Sequence, residues 1–221
     1  MAVLGVDGWR GAWVGALLDG RSVTLLALPD VAAVLAVPDV ELVAIDMPIG
    51  LSDDGVRACD VEARRRLPGA ASSIFPAPVR PVLEATTYDE ARATSLAASG
   101  RSLSLQTFGL VPAIRSLDDA LGDPPDPRVH EVHPELSLRA LDGRVTDRKA
   151  SGSGLAQRIR ALERVMDVLD ALADDRLGLP VVDALDACAA AWSARRLADG
   201  RGEYVGGGAL DARGRPMRIC W

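Results

Sequence analysis

Asparagine is missing from this chain altogether, and lysine occurs once, at Lys149. Histidine occurs twice, aromatic residues make up 4% of the 221 residues, and the three cysteines, Cys59, Cys188 and Cys220, stand far apart. Each scarcity excludes something. With no C-x-x-C pair and an odd cysteine number, neither a disulfide framework nor a cysteine zinc site is indicated, and a reducing, cytoplasmic setting is expected. The two histidines, in His130-Glu131-Val132-His133, lack the helical four-residue spacing of a zinc hydrolase. No apolar run approaches the roughly 18 residues of a membrane span, and the N-terminus lacks the basic-then-apolar pattern of a signal peptide, so no membrane association is expected. The loss of Asn and Lys beside abundant Arg fits a coding bias against AT-rich codons. Under such a bias the surviving lysine carries more information and any one Asp carries less.

What is present fits a folded enzyme-sized domain. A hydrophobic content of 48% and a mean hydropathy of +0.13 suffice for a full core. A net charge of -6 disfavours a charge-driven duplex binder, so any contact with nucleic acid has to be local. Two short apolar runs end on carboxylates: Ala2 to Val6 leads into Asp7, and Leu42 to Ile45 leads into Asp46. Runs of this kind read as strands covered on both faces, and open α/β sheets hold ligands at the strand exits. Ala12 to Leu18 and Ser22 to Leu28, joined at Asp19-Gly20, complete a three-stranded meander with the first run. Pro29-Asp30 opens a short helix before the strand ending at Asp46, so that strand is reached by a crossover and lies parallel to the first.

From Leu51 to Pro127 the pattern turns helical, over Arg57 to Leu67, Tyr88 to Ala98 and Leu105 to Leu121. The expectation is one domain with a helical insertion over residues 52–127. Val129 to Val132 reads as a fifth strand, followed by a short helix through Leu141. Leu155, Ile159, Leu162, Met166 and Leu169 predict one amphipathic helix over Ser153 to Ala173, with Arg158, Arg160, Glu163 and Arg164 on its charged face. Asp183 to Ala198 predicts the last helix, stopped by Gly200, and the tail from Gly206 ends in a hairpin. The fold class expected from this order is α/β: an RNase-H-like mixed five-stranded sheet flanked by helices, with the helical insertion after strand four.

In that arrangement Asp7 and Asp46 lie side by side and repel unless a cation sits between them. Mg²⁺ or Mn²⁺ suits the position, since hard oxygen ligands and substrate phosphate complete its shell. Asp183 and Asp186 share a helix face and are the candidates for a third ligand, although a cap or first-turn acid is the common use of Asp there. Glu131 and His133 share a strand face, as an auxiliary acid and a proton-transfer group or ligand; the competing use of His133 is to hold the loop ahead of Pro134. Lys149, followed by small residues and a helix start, is placed to meet a phosphate, or is simply an exposed loop lysine. Arg57, Arg64, Ser73 and Gln106 are candidate substrate contacts on the insertion, against the ordinary use of such groups as a solvated face. Trp9 and Trp13 are candidates for base stacking or for packing.

Six segments together carry a resemblance: Gly5-Val6-Asp7-Gly8-Trp9-Arg10-Gly11-Ala12-Trp13, Ile45-Asp46-Met47-Pro48-Ile49-Gly50-Leu51, Arg57-Ala58-Cys59-Asp60 with Arg64, Ser72-Ser73-Ile74-Phe75-Pro76, Glu131-Val132-His133-Pro134-Glu135, and Asp183 to Ala191. In this order, over nearly the whole chain, they resemble a bacterial and archaeal domain-of-unknown-function family, number four-two-nine, described as predicted RNase-H-like nucleases. The Asp183 to Ala187 segment also resembles the last catalytic helix of Holliday-junction resolvases. The resemblance implies that Asp7, Asp46, Asp183 and Asp186 gather at a Mg²⁺ or Mn²⁺ site that hydrolyses phosphodiesters. The long insertion and acidic charge depart from those resolvases. Three readings follow: a metal-dependent nuclease acting on nucleic acid, an enzyme acting on a nucleotide-like phosphate ester, and a binding protein without chemistry.

Overall fold

The computed structural model describes the backbone of residues 1–221 and every side chain except that of Asp175. Along the chain run β1 (Ala2–Trp9), β2 (Ala12–Asp19), β3 (Ser22–Leu28), α1 (Val31–Leu35), β4 (Val40–Ile45), α2 (Ala58–Arg66), α3 (Tyr88–Ser99), α4 (Leu105–Ala120), β5 (Val129–Glu131), α5 (Pro134–Leu141), α6 (Gly152–Glu163), α7 (Val168–Ala173), α8 (Val181–Ala198), β6 (Tyr204–Val205) and β7 (Ile219–Cys220). No helix among the described residues is long and apolar enough to cross a membrane.

The chain divides into two compact units. The first comprises Met1–Met47, Pro127–Glu203 and Cys220–Trp221. Its sheet has the order β3-β2-β1-β4-β5, with β2 antiparallel to both neighbours and β4 and β5 parallel to β1. This is the mixed five-stranded α/β sheet that the sequence order predicts. β1 continues through Gly8 to Trp9, past the expected turn, and the tight loop is Arg10-Gly11, both at positive φ as a right-twisted two-residue hairpin requires. The next loop is Gly20-Arg21, one residue later than expected, with Gly20 at φ 58°.

Helix α8 is the main cover of this sheet. Its Ala184, Ala187, Ala190, Ala191 and Ala194 are buried, and small side chains let its backbone approach β1 closely. At Gly5 the approach is closest: a Cβ there would lie 2.0 Å from Ala191 N and 2.1 Å from Ala187 O. The helix begins at Val181 after Pro180, so Asp183 is a first-turn acid and not the cap.

The predicted helix over Ser153 to Ala173 is two helices, α6 and α7. Arg21, in the β2–β3 loop, ends the first of them: its guanidinium donates to Glu163 O (2.8 Å), Arg164 O (3.2 Å) and Asp167 Oδ1 (3.0 Å). Glu163 then caps the second by accepting from Leu169 N at 2.6 Å. The break changes the helical phase, so Leu169 is exposed, while Leu155 and Ile159 pack against the core as the periodicity predicts and Arg158, expected on the charged face, is 1% exposed.

The second unit comprises Pro48–Asp126 and Tyr204–Ile219, so part of the tail belongs with the inserted helices. Asp118 of α4 ties them together by accepting from Arg80 (2.9 Å) and Arg213 (2.6 Å) and by its ion pair with Arg215 (3.2 Å). Arg57, a candidate substrate contact or else part of a solvated face from the sequence, is 3% exposed: it pairs with Asp60 at 2.6 Å and donates to Ile49 O and Gly50 O.

The glycine contacts give a paired prediction. Gly5→Ala, which drives a methyl group into the α8 backbone, destabilises the protein by about 1–3 kcal/mol or more. The same substitution at Gly109, in α4 with nothing within 4 Å of a Cβ, stabilises it by about 0.5–1 kcal/mol. Thermal unfolding of both variants beside the parent reads the two opposite signs.

Candidate functional site

The carboxylate group is assembled from three distant segments of the first unit. Val6 pairs with Ile45 across the parallel β1–β4 ladder, and Asp46 N continues it by donating to Val6 O at 2.9 Å. The next residue on each strand is therefore Asp7 beside Asp46, on the sheet face that Gly5 presents to α8, because residues two apart on a strand share a face. Asp186 comes from α8 itself, one residue before Ala187, whose carbonyl lies over Gly5. Asp7 is 8% exposed, Asp186 is 1% exposed, and Asp46 is half-buried.

Charge on these groups is costly. Burial, then Asp46 and Asp186, push the Asp7 carboxyl well above the usual carboxylate range. Burial and Asp186 do the same to Asp46. Asp186 is raised chiefly by burial and held back by Lys149, and burial also raises the half-exposed Asp183. Asp7 keeps one strong local partner, Gly8 N, which donates to its Oδ1 at 2.9 Å.

Lys149 supplies the positive charge. Its Nζ donates to Asp186 Oδ2 at 2.7 Å, with the lysine side chain 50% exposed and the aspartate 2%. Burial opposes the ammonium, but Asp186, Asp7 and Asp46 outweigh it and hold its pKa above the ordinary value. The loop that presents it is tightly built. Gln157 Oε1 accepts from Thr146 N and Asp147 N, both at 3.0 Å, Ser151 caps α6 by accepting from Gly154 N at 3.0 Å, and a Cβ at Gly154 would lie 2.0 Å from Arg148 O. The buried Arg158 donates to Asp147 O (3.0 Å) and Gly154 O (3.1 Å) and forms an ion pair with Glu135, in the first turn of α5. Sequence reasoning missed Glu135 and Arg158 as neighbours of the site. The signal was there in the helical phase of α6, since Arg158 is four residues from both Gly154 and Leu162.

Glu131 is buried and in register with Ile45, one residue short of Asp46, yet close enough to raise the Asp46 carboxyl. His133 is the residue before the first turn of α5, and its carbonyl accepts from Leu136 N and Ser137 N at 2.9 and 3.1 Å. Trp13 is buried, while Trp9 is half-buried beneath the Arg10 guanidinium. Cys188 lies two residues beyond Asp186, and burial, then that carboxylate, push its thiol up to about 12, which removes it as a nucleophile. The other candidates belong to the second unit: Arg64 and Gln106 are exposed, Ser73 donates to Ala70 O at 2.8 Å, and Arg57 is committed to Asp60.

Among the described residues no three His, Cys, Asp or Glu side chains form a ready-made metal cage. The donor set nevertheless fits Mg²⁺ or Mn²⁺ in kind. Mg²⁺ is ordinarily held by one or two carboxylates with its remaining positions left to water and phosphate, and Asp186 Oδ1 is a buried carboxylate oxygen with no hydrogen-bond partner among the described residues.

Two predictions follow from this charge balance. The folded pKa values of Asp7, Asp46 and Asp186 are raised, so folding takes up protons and the associated stability is lost as pH rises through the folded pKa values. Without divalent cation, the melting temperature therefore falls as pH climbs from about 5, just above the range where unfolded carboxylates ionise, through neutrality. Asp7→Asn, whose amide oxygen still accepts from Gly8 N, flattens that fall and melts higher than the parent at alkaline pH. Arg158→Met, which strands Glu135, costs about 3–5 kcal/mol in chemical denaturation.

A family model described as "Protein of unknown function (DUF429)" matches residues 5–209. No curated protein and no solved structure matches the chain. The matched stretch includes Asp7, Asp46, Glu135, Lys149 and Asp186, and by that match the chain belongs to the DUF429 family.

Proposed function

We propose that the protein is a divalent-metal-dependent phosphodiesterase acting on nucleic acid or a nucleotide-like phosphate ester. The observation that carries this reading is that Asp7 and Asp46 end adjacent parallel strands, with Asp186 of α8 close enough to raise both carboxyls. A fold keeps mutually repelling buried acids where their charge is used, and perturbed acids cluster at functional sites for that reason. Asp7, Asp46 and Asp186 would hold Mg²⁺ or Mn²⁺, which when bound acidifies water and offsets phosphoryl charge. Asp183, half-exposed at the start of α8, would carry a proton between the site and solvent. Glu131 adds negative charge beside Asp46 and so strengthens its demand for a cation. His133 is the remaining candidate for proton transfer.

The three free, buried cysteines agree with a reducing, cytoplasmic setting. The net charge of -6 gives no general attraction for a polyanion, so substrate recognition rests on the site itself.

The test is hydrolysis of single- and double-stranded DNA and RNA oligonucleotides and of a small aryl phosphodiester, with Mn²⁺ or Mg²⁺ and with chelator. Activity that requires the cation and drops by roughly a hundredfold or more in Asp7→Asn and Asp186→Asn, with circular dichroism unchanged, supports the reading. Activity unaffected by chelator removes it. Comparing the oligonucleotides with the aryl ester assigns the substrate class.

A further inference from the structure

Lys149 is in an unusual position for a substrate contact. Its ammonium is 2.7 Å from an oxygen of Asp186 that any cation at this site would also seek, while the other oxygen of the same carboxylate is buried without a hydrogen-bond partner among the described residues. The two sides of the pair differ in freedom: Asp186 is fixed in the buried face of α8, whereas half of the lysine side chain reaches solvent. Around them, the loop backbone is pinned by Gln157, Ser151 and Arg158, so movement is confined to the lysine's four-carbon stem.

We propose that Lys149 is a built-in counter-ion, which neutralises the carboxylate group when no divalent cation is present and is displaced from Asp186 when one binds, leaving its ammonium free to meet the phosphate of the substrate. This deepens the metal-dependent reading above and rests on it. The pair serves two states. With the ammonium seated, the buried Asp7 and Asp186 and the half-buried Asp46 are tolerated without a divalent cation. With it released, the displaced charge remains on the same side of the sheet, tethered to a rigid loop, where an anionic substrate would be attracted to it. The lysine therefore competes with the cation, and the metal affinity of the native protein is lower than its carboxylates alone would give. Arginine would serve less well, because its planar fork would bind both carboxylate oxygens and release them less readily.

Two measurements test this. Isothermal titration with Mn²⁺ compares the native protein with Lys149→Gln, Lys149→Arg and Asp186→Asn. Removing the competing charge in Lys149→Gln tightens Mn²⁺ binding by roughly tenfold or more, Lys149→Arg does not tighten it, and Asp186→Asn weakens it. The second uses the native protein and so does not depend on any variant folding. Because Lys149 is the only lysine, amine acylation followed by peptide mass analysis reports on its ε-amine alone. The rate is slow without metal and rises severalfold with saturating Mn²⁺. If Mn²⁺ binds the native protein but leaves the acylation rate unchanged, and Lys149→Gln binds it no more tightly, the counter-ion proposal is overturned and the metal site stands. If neither the native protein nor any variant binds Mn²⁺, both the proposal and the metal-dependent reading fall.

Discussion

The backbone contact between α8 and β1 at Gly5 governs the rest of this molecule. It leaves no room for a Cβ on the strand and demands small side chains on the helix, which is why the residues of α8 over the strand, Ala187, Ala190 and Ala191, are alanines. The same contact fixes where the start of the helix lies, and with it the place of Asp186. Asp7 is two residues beyond Gly5 on the same face of the strand, and the parallel ladder brings Asp46 alongside it. Packing thereby forces together three acids that electrostatics alone would separate.

That juxtaposition carries a penalty, and the surroundings distribute it. Protonation at raised pKa values absorbs part of the charge, and the Lys149 ammonium absorbs more. Placing that ammonium takes considerable structure: a capped helix start, a glutamine holding the loop backbone, and a buried arginine that is itself balanced by Glu135. A lysine used only for solubility would need none of this support. The site thus has two layers, an acidic group set by the sheet and α8, and a cation positioned by the loop before α6.

The second unit handles charge differently. There, arginines and aspartates are matched within hydrogen-bonding distance, as in Arg57 with Asp60 and in the set around Asp118. The set around Asp118 connects segments far apart in sequence, whereas Arg57 and Asp60 stand three residues apart. The carboxylates of the first unit outnumber their cations, and that imbalance is what separates a candidate site from a structural network.

Much of the architecture was legible in the residues. Short apolar runs ended by Asp7 and Asp46, a two-residue hairpin with glycine, and the alanine-rich pattern before Gly200 are local signals, and local signals survive in sequence because they reflect backbone geometry and one-dimensional periodicity. The three-residue spacing of Asp183 and Asp186 likewise placed both acids on one helix face. The break between α6 and α7 was hidden, because it is made by Arg21 from a distant loop, and the burial of Arg158 was masked by reading it as part of a charged face. The association of residues 204–219 with the inserted helices, and the pairing of Lys149 with Asp186 across 37 residues, were equally invisible. The sequence by itself determined the strands, the helices and the acids at their ends. Tertiary structure alone decided which acids share one space and which cation balances them, because Coulomb interaction and burial depend on distances through space that chain order does not encode.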